Sequence, residues 1–243
     1  MPAKGPSYDA VRAALDAQWD LLLVALDGAD PAAPTGCAGW TVRDLHAHLT
    51  ATTQGLARIL EAPAPGRADT DVAGWAAALP GLAAVADEDA RRTDPGLRPA
   101  VARARELLAT ADPERVVQQR TGAHRLADAV LFRLVEAVVH GLDLGVAPDQ
   151  AALRLVVRAL AGVLAAQVPG HSVEVRVPPY AVVQCVPGPR HTRGTPPSTV
   201  EADPVPFVQV LTGRLAWADA VADGRVRVRG ERADLSAWLP VLR

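Results

Sequence analysis

Glu136 and His140 are the pair of side chains in this sequence whose types and spacing best suit metal chemistry. They are four residues apart in a long apolar segment, and a helix places such positions one turn apart on the same face. A carboxylate oxygen and an imidazole nitrogen at this spacing can bind one ion. The pair therefore predicts a divalent metal site that needs a further ligand from another helix.

The pair belongs to a polar stripe on the helix predicted at residues 123–144. One interpretation is a solvent-facing surface with intrahelical ion pairs, such as Arg133 with Glu136. The other is a polar seam turned into the protein, and only this interpretation supports a metal site. The stripe consists of Arg125, Asp128, Arg133, Glu136, His140 and Asp143.

The third ligand is expected from a second helix, which carries two of the chain's six histidines. Residues two apart on a helix point to nearly opposite sides, so only one of His46 and His48 can face the site. On a helical wheel, His48 lies at the edge of the apolar face, whereas His46 lies well away from it and is expected to be solvated. The wheel therefore selects His48. Asp44 and Asp143 are either acceptors that orient the imidazoles or surface charges.

The elements that must position these residues are helices in the first part of the chain. Apolar residues recur at helical spacing from Ser7 to about Val168, and short loops between long helices predict an up-and-down four-helix bundle. Thr41 and Asp44 have the spacing of a capping box that starts the second helix. His124 and His171 follow loop-forming glycines and are predicted to lie on the surface.

Short alternating segments replace the helical pattern from His171 onward. Val173–Val177 and Ala181–Cys185 are predicted strands, and a closing helix is predicted at residues 233–239. The fold class is thus an all-helical bundle followed by a small α+β domain. We place the boundary near Pro169, which gives domains of residues 1–170 and 171–243.

A loop in the second part carries further candidate site residues. Arg190 and Arg193 lie between prolines and glycines, and a rigid basic turn can bind the carboxylate of a substrate. The alternative is a turn whose arginines pair with Glu201 or Asp203 and only aid solubility.

Composition excludes several classes of protein. The 25 basic and 27 acidic residues give a net charge of −2 without a basic cluster, which argues against a nucleic-acid binder. No apolar run approaches the ~20 residues of a membrane-spanning helix, and no secretory pattern is present, so a cytoplasmic location is expected.

The two cysteines suggest neither a disulfide framework nor a metal motif. Lys4 is the sole lysine, and this arginine-rich usage predicts a high-GC bacterial source.

Residues 39–49, GWTVRDLHAHL, followed by residues 133–144, RLVEAVVHGLDL, resemble the paired signature of the mycothiol-dependent maleylpyruvate isomerase family, a branch of the DinB-like metal-binding helix bundles. The resemblance implies that His48, Glu136 and His140 coordinate a divalent metal, usually zinc. It also implies mycothiol as the thiol cosubstrate and a high-GC actinobacterial source. Residues 176–239 resemble the sterol-carrier-like domain that accompanies such bundles.

The resemblance implies a metal- and thiol-dependent isomerase or thiol transferase. In the isomerase, the thiol adds to the double bond of maleylpyruvate, the bond rotates, and elimination releases the trans isomer. A small electrophile and a low-molecular-weight thiol are the expected partners, with no nucleic acid and no membrane insertion. The alternative is a non-enzymatic sterol-carrier-like protein that binds a small molecule or lipid and uses the bundle as a scaffold.

Overall fold

The computed structural model describes residues 5–64, 66–82, 84, 88, 91–188 and 198–242. The chain combines helices with two small sheets and divides into two compact units between residues 155 and 156. This division lies ahead of the boundary predicted near residue 170, which remains a prediction. Helical periodicity does not reveal which unit a helix packs with, so the pattern up to Val168 placed the boundary later.

The first unit contains the helices that position the candidate site. The α-helices are α1 (Tyr8–Leu26), α2 (Val42–Glu61), α3 (Val72–Ala78), α4 (Leu97–Thr110) and α5 (Leu126–Asp143). Helix α1 packs against α5, and α2 packs against both α4 and α5. The up-and-down order predicted for the four long helices stays a prediction, whereas their existence is confirmed.

Helix α2 begins as its sequence predicts. The Thr41 hydroxyl accepts a hydrogen bond from the backbone N–H of Asp44, and the Asp44 carboxylate accepts one from the backbone N–H of Thr41. Both bonds satisfy amide groups that the first turn leaves without partners inside the helix. Since α2 carries the candidate ligand His48, this capping box fixes the start of the element that positions it.

A hairpin precedes α5 and corrects the predicted helix at residues 123–144. Strands β1 (Val116–Gln119) and β2 (Gly122–Arg125) pair antiparallel, and α5 begins only at Leu126. The backbone N–H of Ala123 donates to the Asp69 carboxylate at 2.8 Å, a contact distant in sequence. Helical periodicity predicted that the helix begins at residue 123, because the two strands are short and show no clear alternation of apolar and polar residues. The tertiary hydrogen bonds favour the hairpin instead.

Aromatic residues fill the interior of the first unit. Trp19, Trp75 and Phe132 are at most 2% exposed, and the rings of Trp75 and Phe132 stack with centroids 4.4 Å apart. Burying an aromatic side chain contributes roughly 2–3 kcal/mol by area. The Phe132 ring also contacts His124, so this packing joins α5 to α3 and to the segment before α5.

The remaining elements lie in the second unit, except for residues 150–155 at the start of the first of them, which belong to the first unit. They are α6 (Gln150–Gln167), β3 (Val173–Val177), β4 (Ala181–Cys185), β5 (Thr199–Ala202), α7 (Pro204–Leu211), α8 (Trp217–Ala222) and β6 (Val226–Arg229). The sheet order is β4-β3-β5-β6, with β3 and β5 parallel and the other pairs antiparallel. The strands predicted at β3 and β4 are confirmed. The predicted closing helix is wrong in extent, because only a 3₁₀ turn at Ser236–Trp238 forms.

Helix α6 is the single described helix that is long and apolar enough to cross a membrane, judged by length and composition. The core helix of a protein without a membrane has the same properties. Several of its apolar side chains, including Val156, Val157 and Leu164, are fully buried within the protein. The helix is therefore weak evidence for a membrane span.

Candidate metal centre

Three candidate ligands predicted from the sequence converge in the first unit. One ligand atom from each of His48, Glu136 and His140 lies within 4.8 Å of the others. Glu136 Oε2 lies 2.9 Å from His48 Nε2 and 3.5 Å from His140 Nε2. The two imidazole centroids are 4.8 Å apart and the rings are nearly perpendicular. Helix α2 supplies one ligand and α5 supplies the other two.

The polar stripe on α5 faces inward at this point. The side chains of His48 and His140 are each 8% exposed, and that of Glu136 is 19% exposed. Asp128 and Asp143 are buried as well. The interpretation of the stripe as a solvent-facing surface is therefore wrong at the triad, whereas the exposed Arg125 pairs with Asp128 three residues later as that interpretation expects. No ion pair between Arg133 and Glu136 forms among the described residues, because the Glu136 carboxylate contacts the histidines.

The neighbouring carboxylate Asp143 orients one ligand. His140 Nδ1 lies 2.9 Å from Asp143 Oδ2, and the Asp143 side chain is 1% exposed. When Nδ1–H donates to this carboxylate, the Nε2 lone pair is available to an ion. Asp44, the other candidate for this role, forms the capping box with Thr41 instead. The sequence made both aspartates candidates for orienting an imidazole, and only Asp143 contacts one.

Burial and hydrogen bonding set the charges of the three groups. Burial disfavours the charged form of Glu136, yet hydrogen bonds with His140 and His48 hold its pKa well below the ordinary value. Burial lowers the pKa of His48. For His140, burial has the same effect, but the hydrogen bonds with Asp143 and Glu136 raise its pKa overall. An ionised carboxylate beside a neutral His48 is the protonation state that suits metal ligation.

The donor set fits a divalent metal. Two imidazole nitrogens and one carboxylate oxygen are common zinc ligands, and atoms bound at about 2.0–2.2 Å from one ion must themselves lie a few ångströms apart. The three atoms meet this requirement, and Asp143 supplies the acceptor that such histidines usually have. His48, Glu136 and His140 are therefore the residues that would hold the ion.

Trp40 covers one side of the triad. Its ring stacks on His140 at 6.2 Å with an interplanar angle of 12°, and it contacts the edge of His48 at 5.1 Å. The residue immediately precedes the N-cap Thr41, so the start of α2 fixes its place. These two contacts limit the rotation of both imidazoles. Sequence analysis did not identify it as a site residue.

Two of the three triad residues line a cavity of about 510 Å³. His48 and Glu136 lie in its wall, together with Trp75 of α3. The end of the β1–β2 hairpin contributes Gln118, Gln119, Arg120 and Thr121, and the remaining basic residues of the wall are Arg58 and Arg133. A cavity of this size accommodates a small molecule next to the candidate ligands.

Two other histidine predictions are wrong. His46 is only partly exposed, and its Nε2 accepts a hydrogen bond at 3.3 Å from the N–H of Leu97, the first residue of α4. His124 is fully buried, where Nε2 contacts the Thr121 hydroxyl at 2.8 Å and the ring packs on Phe132. The partner of His46 is 51 residues away in the sequence, and the partner of His124 lies in the turn of the β1–β2 hairpin. Helical periodicity and nearby glycines indicate neither contact. His171 is exposed as predicted.

Two predicted substrate-binding residues lie outside the structure's description, and two residues of the cavity wall were not predicted to line a site. Arg190 and Arg193 lie outside the described residues. Arg133 was recognised only as a member of the polar stripe, and Gln119 was not identified at all. No spacing rule connects Gln119 to His48, because the hairpin that brings them to one cavity was not predicted.

Comparison with known proteins supports a relationship over both units. The sequence profile described as "Mycothiol maleylpyruvate isomerase N-terminal domain" matches residues 12–145, and the one described as "Bacterial SCP ortholog" matches residues 149–241. Among curated proteins, none matches the chain.

Solved structures show the same fold. The crystal structure of the mycothiol-dependent maleylpyruvate isomerase is 16% identical and has a TM-score of 0.62, with 92% of this chain and 93% of that chain covered. A histidine-to-alanine mutant of that isomerase is 15% identical, with the same TM-score and coverage.

Proposed function

The chain belongs to the mycothiol maleylpyruvate isomerase family, and on this premise we propose that it is a metal- and thiol-dependent enzyme acting on a small electrophile. The reaction is isomerisation or transfer of the thiol, and mycothiol is the proposed thiol. The observation that carries the proposal is the convergence of His48, Glu136 and His140 in the wall of a cavity.

The number of ligands favours catalysis over a structural role. Catalytic zinc sites use three protein ligands, whereas structural zinc sites use four. Among the described residues, the cluster consists of three groups. A divalent ion held by such ligands lowers the pKa of a coordinating thiol, which makes the thiol nucleophilic near neutral pH.

The protein residues have separate tasks in this proposal. His48, Glu136 and His140 hold the ion, which we propose to be zinc because of the mixed nitrogen and oxygen donors. Asp143 keeps His140 in the tautomer that presents Nε2. Trp40 limits the rotation of both imidazoles, and the cavity beside His48 and Glu136 receives the electrophile.

The second part of the chain is proposed to support the site and not to hold the metal. We propose that residues 171–243 form the sterol-carrier-like domain and that Arg190 and Arg193 meet the substrate's negative charge. A non-enzymatic lipid carrier is not favoured, because it leaves the buried triad of the first unit without a role. We propose a cytoplasmic location, where low-molecular-weight thiols are kept reduced.

The direct test is turnover of maleylpyruvate by the metal-loaded protein with mycothiol. We expect formation of the trans isomer, followed by chromatography, and loss of the reaction when either thiol or metal is omitted. The matched control is His140→Ala, which removes a ligand and is expected to abolish turnover. Should neither isomerisation nor thiol adducts of a panel of small electrophiles exceed the rate with mycothiol alone, the proposed function is wrong.

A further inference from the structure

The cavity beside His48 and Glu136 has an apolar wall, supplied by two helices and the 3₁₀ turn Leu79–Leu82. The members of this wall are Ala51, Gly55 and Ile59 of α2, Trp75 of α3, and Leu79 and Leu82 of the turn. The protein itself leaves Ile59, Leu79 and Leu82 only half-buried. Large aliphatic side chains that line a concave site in this way are typical of pockets for apolar groups of a ligand.

The apolar wall follows α2 away from the metal triad. His48 is the first cavity residue on this helix. Ala51, Gly55 and Ile59 follow it by three, seven and eleven residues, a spacing that keeps them on one face. Eleven residues of helix span about 16 Å along the axis. An elongated ligand whose reacting group lies at the triad can therefore extend along this face of α2.

Trp75 gives the apolar wall a rigid member. Its side chain is 2% exposed, and its ring stacks on Phe132 of α5 with centroids 4.4 Å apart. Phe132 lies one turn before Glu136, so the helix that carries two candidate metal ligands also fixes this ring. Both helices that supply ligands thus also hold part of the apolar wall in place.

Gly55 keeps space in the cavity. Glycine in the interior of a helix is less favourable than alanine, and packing does not require it here. Among the described residues, the one atom within 4 Å of a Cβ at residue 55 is the flexible Arg58 Nη2, at 3.7 Å. At Gly141 of α5, by contrast, a Cβ would lie 2.9 Å from Gln18 Nε2. A larger side chain at residue 55 would therefore fill part of the cavity without displacing its neighbours.

We propose that the apolar wall binds an apolar arm of the electrophilic substrate and that Gly55 determines how large this arm can be. The inference rests on the proposed function, because it assigns a specificity to the electrophile of the same cavity. The arm is an alkyl chain or an aromatic ring, and each methylene group that it buries raises affinity about fourfold. Maleylpyruvate has no such arm, so we expect it to bind less tightly than an electrophile that has one.

Alkyl hydroxamates test this assignment by binding alone. The oxygen atoms of a hydroxamate bind zinc, so in the zinc-loaded protein the alkyl chain begins at the triad. We would titrate that protein, without thiol, with acetohydroxamate, butanohydroxamate and hexanohydroxamate in a calorimeter. Hexanohydroxamate is expected to bind at least about tenfold more tightly than acetohydroxamate, because its longer chain is buried against the apolar wall. Removal of the metal should abolish binding of all three.

Three variants make the result specific to the apolar wall. Gly55→Leu should reduce the gain from the longer chain to less than about threefold, with unchanged acetohydroxamate affinity and metal content, because leucine fills the space. Leu79→Asn keeps the space but makes the wall polar, and it should weaken only the longer chains. Gly162→Leu is the matched control. It lies exposed on α6, where a Cβ meets no described atom within 4 Å, and should bind like the wild type.

The series on the wild type decides the matter even if Gly55→Leu does not fold. Affinity that does not rise with chain length, or absence of binding by every hydroxamate, overturns the proposal. It is also overturned if Gly55→Leu folds and keeps the full gain.

Turnover separates this inference from the proposed function. Among electrophiles that react, one with a hexyl group should have a kcat/KM at least about tenfold above its methyl counterpart in the wild type, but not in Gly55→Leu. Thiol-dependent turnover without any effect of chain length would reject the apolar arm and keep the enzyme activity. A chain-length gain in hydroxamate binding that Gly55→Leu removes, together with no thiol-dependent turnover, would keep the apolar wall as a binding site and reject the enzyme activity.

Discussion

His140 Nδ1 lies 2.9 Å from Asp143 Oδ2, one turn further along α5, and this contact points the opposite ring nitrogen toward Glu136. The Asp143 side chain is almost fully buried, so water does not replace it as an acceptor. The orientation of the metal ligand is therefore set by a residue outside the triad.

Asp143→Asn should weaken metal binding without removing a ligand. The amide keeps the shape of the side chain but loses the charge that fixes the His140 tautomer, so we expect a drop in metal affinity of about 10–100-fold. Competition with a chromophoric chelator measures it. Asp44→Asn is the control, since its carboxylate contacts Thr41 and should affect stability rather than affinity. Unchanged affinity in Asp143→Asn would show that Asp143 does not orient His140.

Single ligand replacements should abolish stoichiometric metal. In His48→Ala, Glu136→Ala and His140→Ala, two ligands remain, which is too few to retain zinc through purification. Elemental analysis of the purified proteins gives the metal content. His46→Ala and His171→Ala should keep full metal content, because neither imidazole belongs to the cluster. A metal that survives all three ligand replacements would place the site elsewhere.

Gly36→Ala should disturb the site from a loop. A Cβ at residue 36 would lie 3.0 Å from the Asp143 Cα and 3.2 Å from its Oδ1. Relieving that contact should cost about 1–3 kcal/mol of stability and shift Asp143 away from His140. Thermal unfolding and metal affinity are the measurements. Gly162→Ala meets no atom within 4 Å on a helix and should be neutral or stabilising. Equal metal affinity in Gly36→Ala and the wild type would contradict this prediction.

The two cysteines should differ in reactivity. Cys185 is fully buried, and burial raises the pKa of its thiol to about 11, so the thiol is almost entirely protonated at pH 8. Cys37 is partly exposed. Since the thiolate is the nucleophile, iodoacetamide at pH 8 should modify Cys37 and spare Cys185 until denaturant is added. Mass spectrometry of the labelled peptides checks this. Native labelling of Cys185 would contradict the burial of β4.

Thr41→Ala should destabilise the start of α2. It removes one bond of the capping box and leaves an amide of the first turn without its acceptor, at a cost of about 0.5–2 kcal/mol. Chemical denaturation gives the difference in free energy of unfolding. Ser7→Ala removes a longer and exposed N-cap bond of 3.4 Å at α1 and should cost less. The capping box is unimportant if both variants are equally stable.

Sequence patterns determined the local features of this protein. The capping box at Thr41 depends on residues three apart, and the strands Val173–Val177 and Ala181–Cys185 depend on alternation, so both were predictable. The choice of His48 over His46 followed from helical geometry and agrees with the cluster. Each of these inferences uses interactions within one element or one turn.

Only the tertiary structure decided which polar groups share an environment. The hairpin before α5 depends on the backbone contact of Ala123 with Asp69, and the burial of His124 depends on packing against Phe132. The inward direction of the polar stripe likewise required the partner helix that carries His48. Such contacts join residues far apart in sequence, and their free energy outweighs local preference. For the same reason, the cavity that brings Arg133 and Gln119 together was not predictable from spacing.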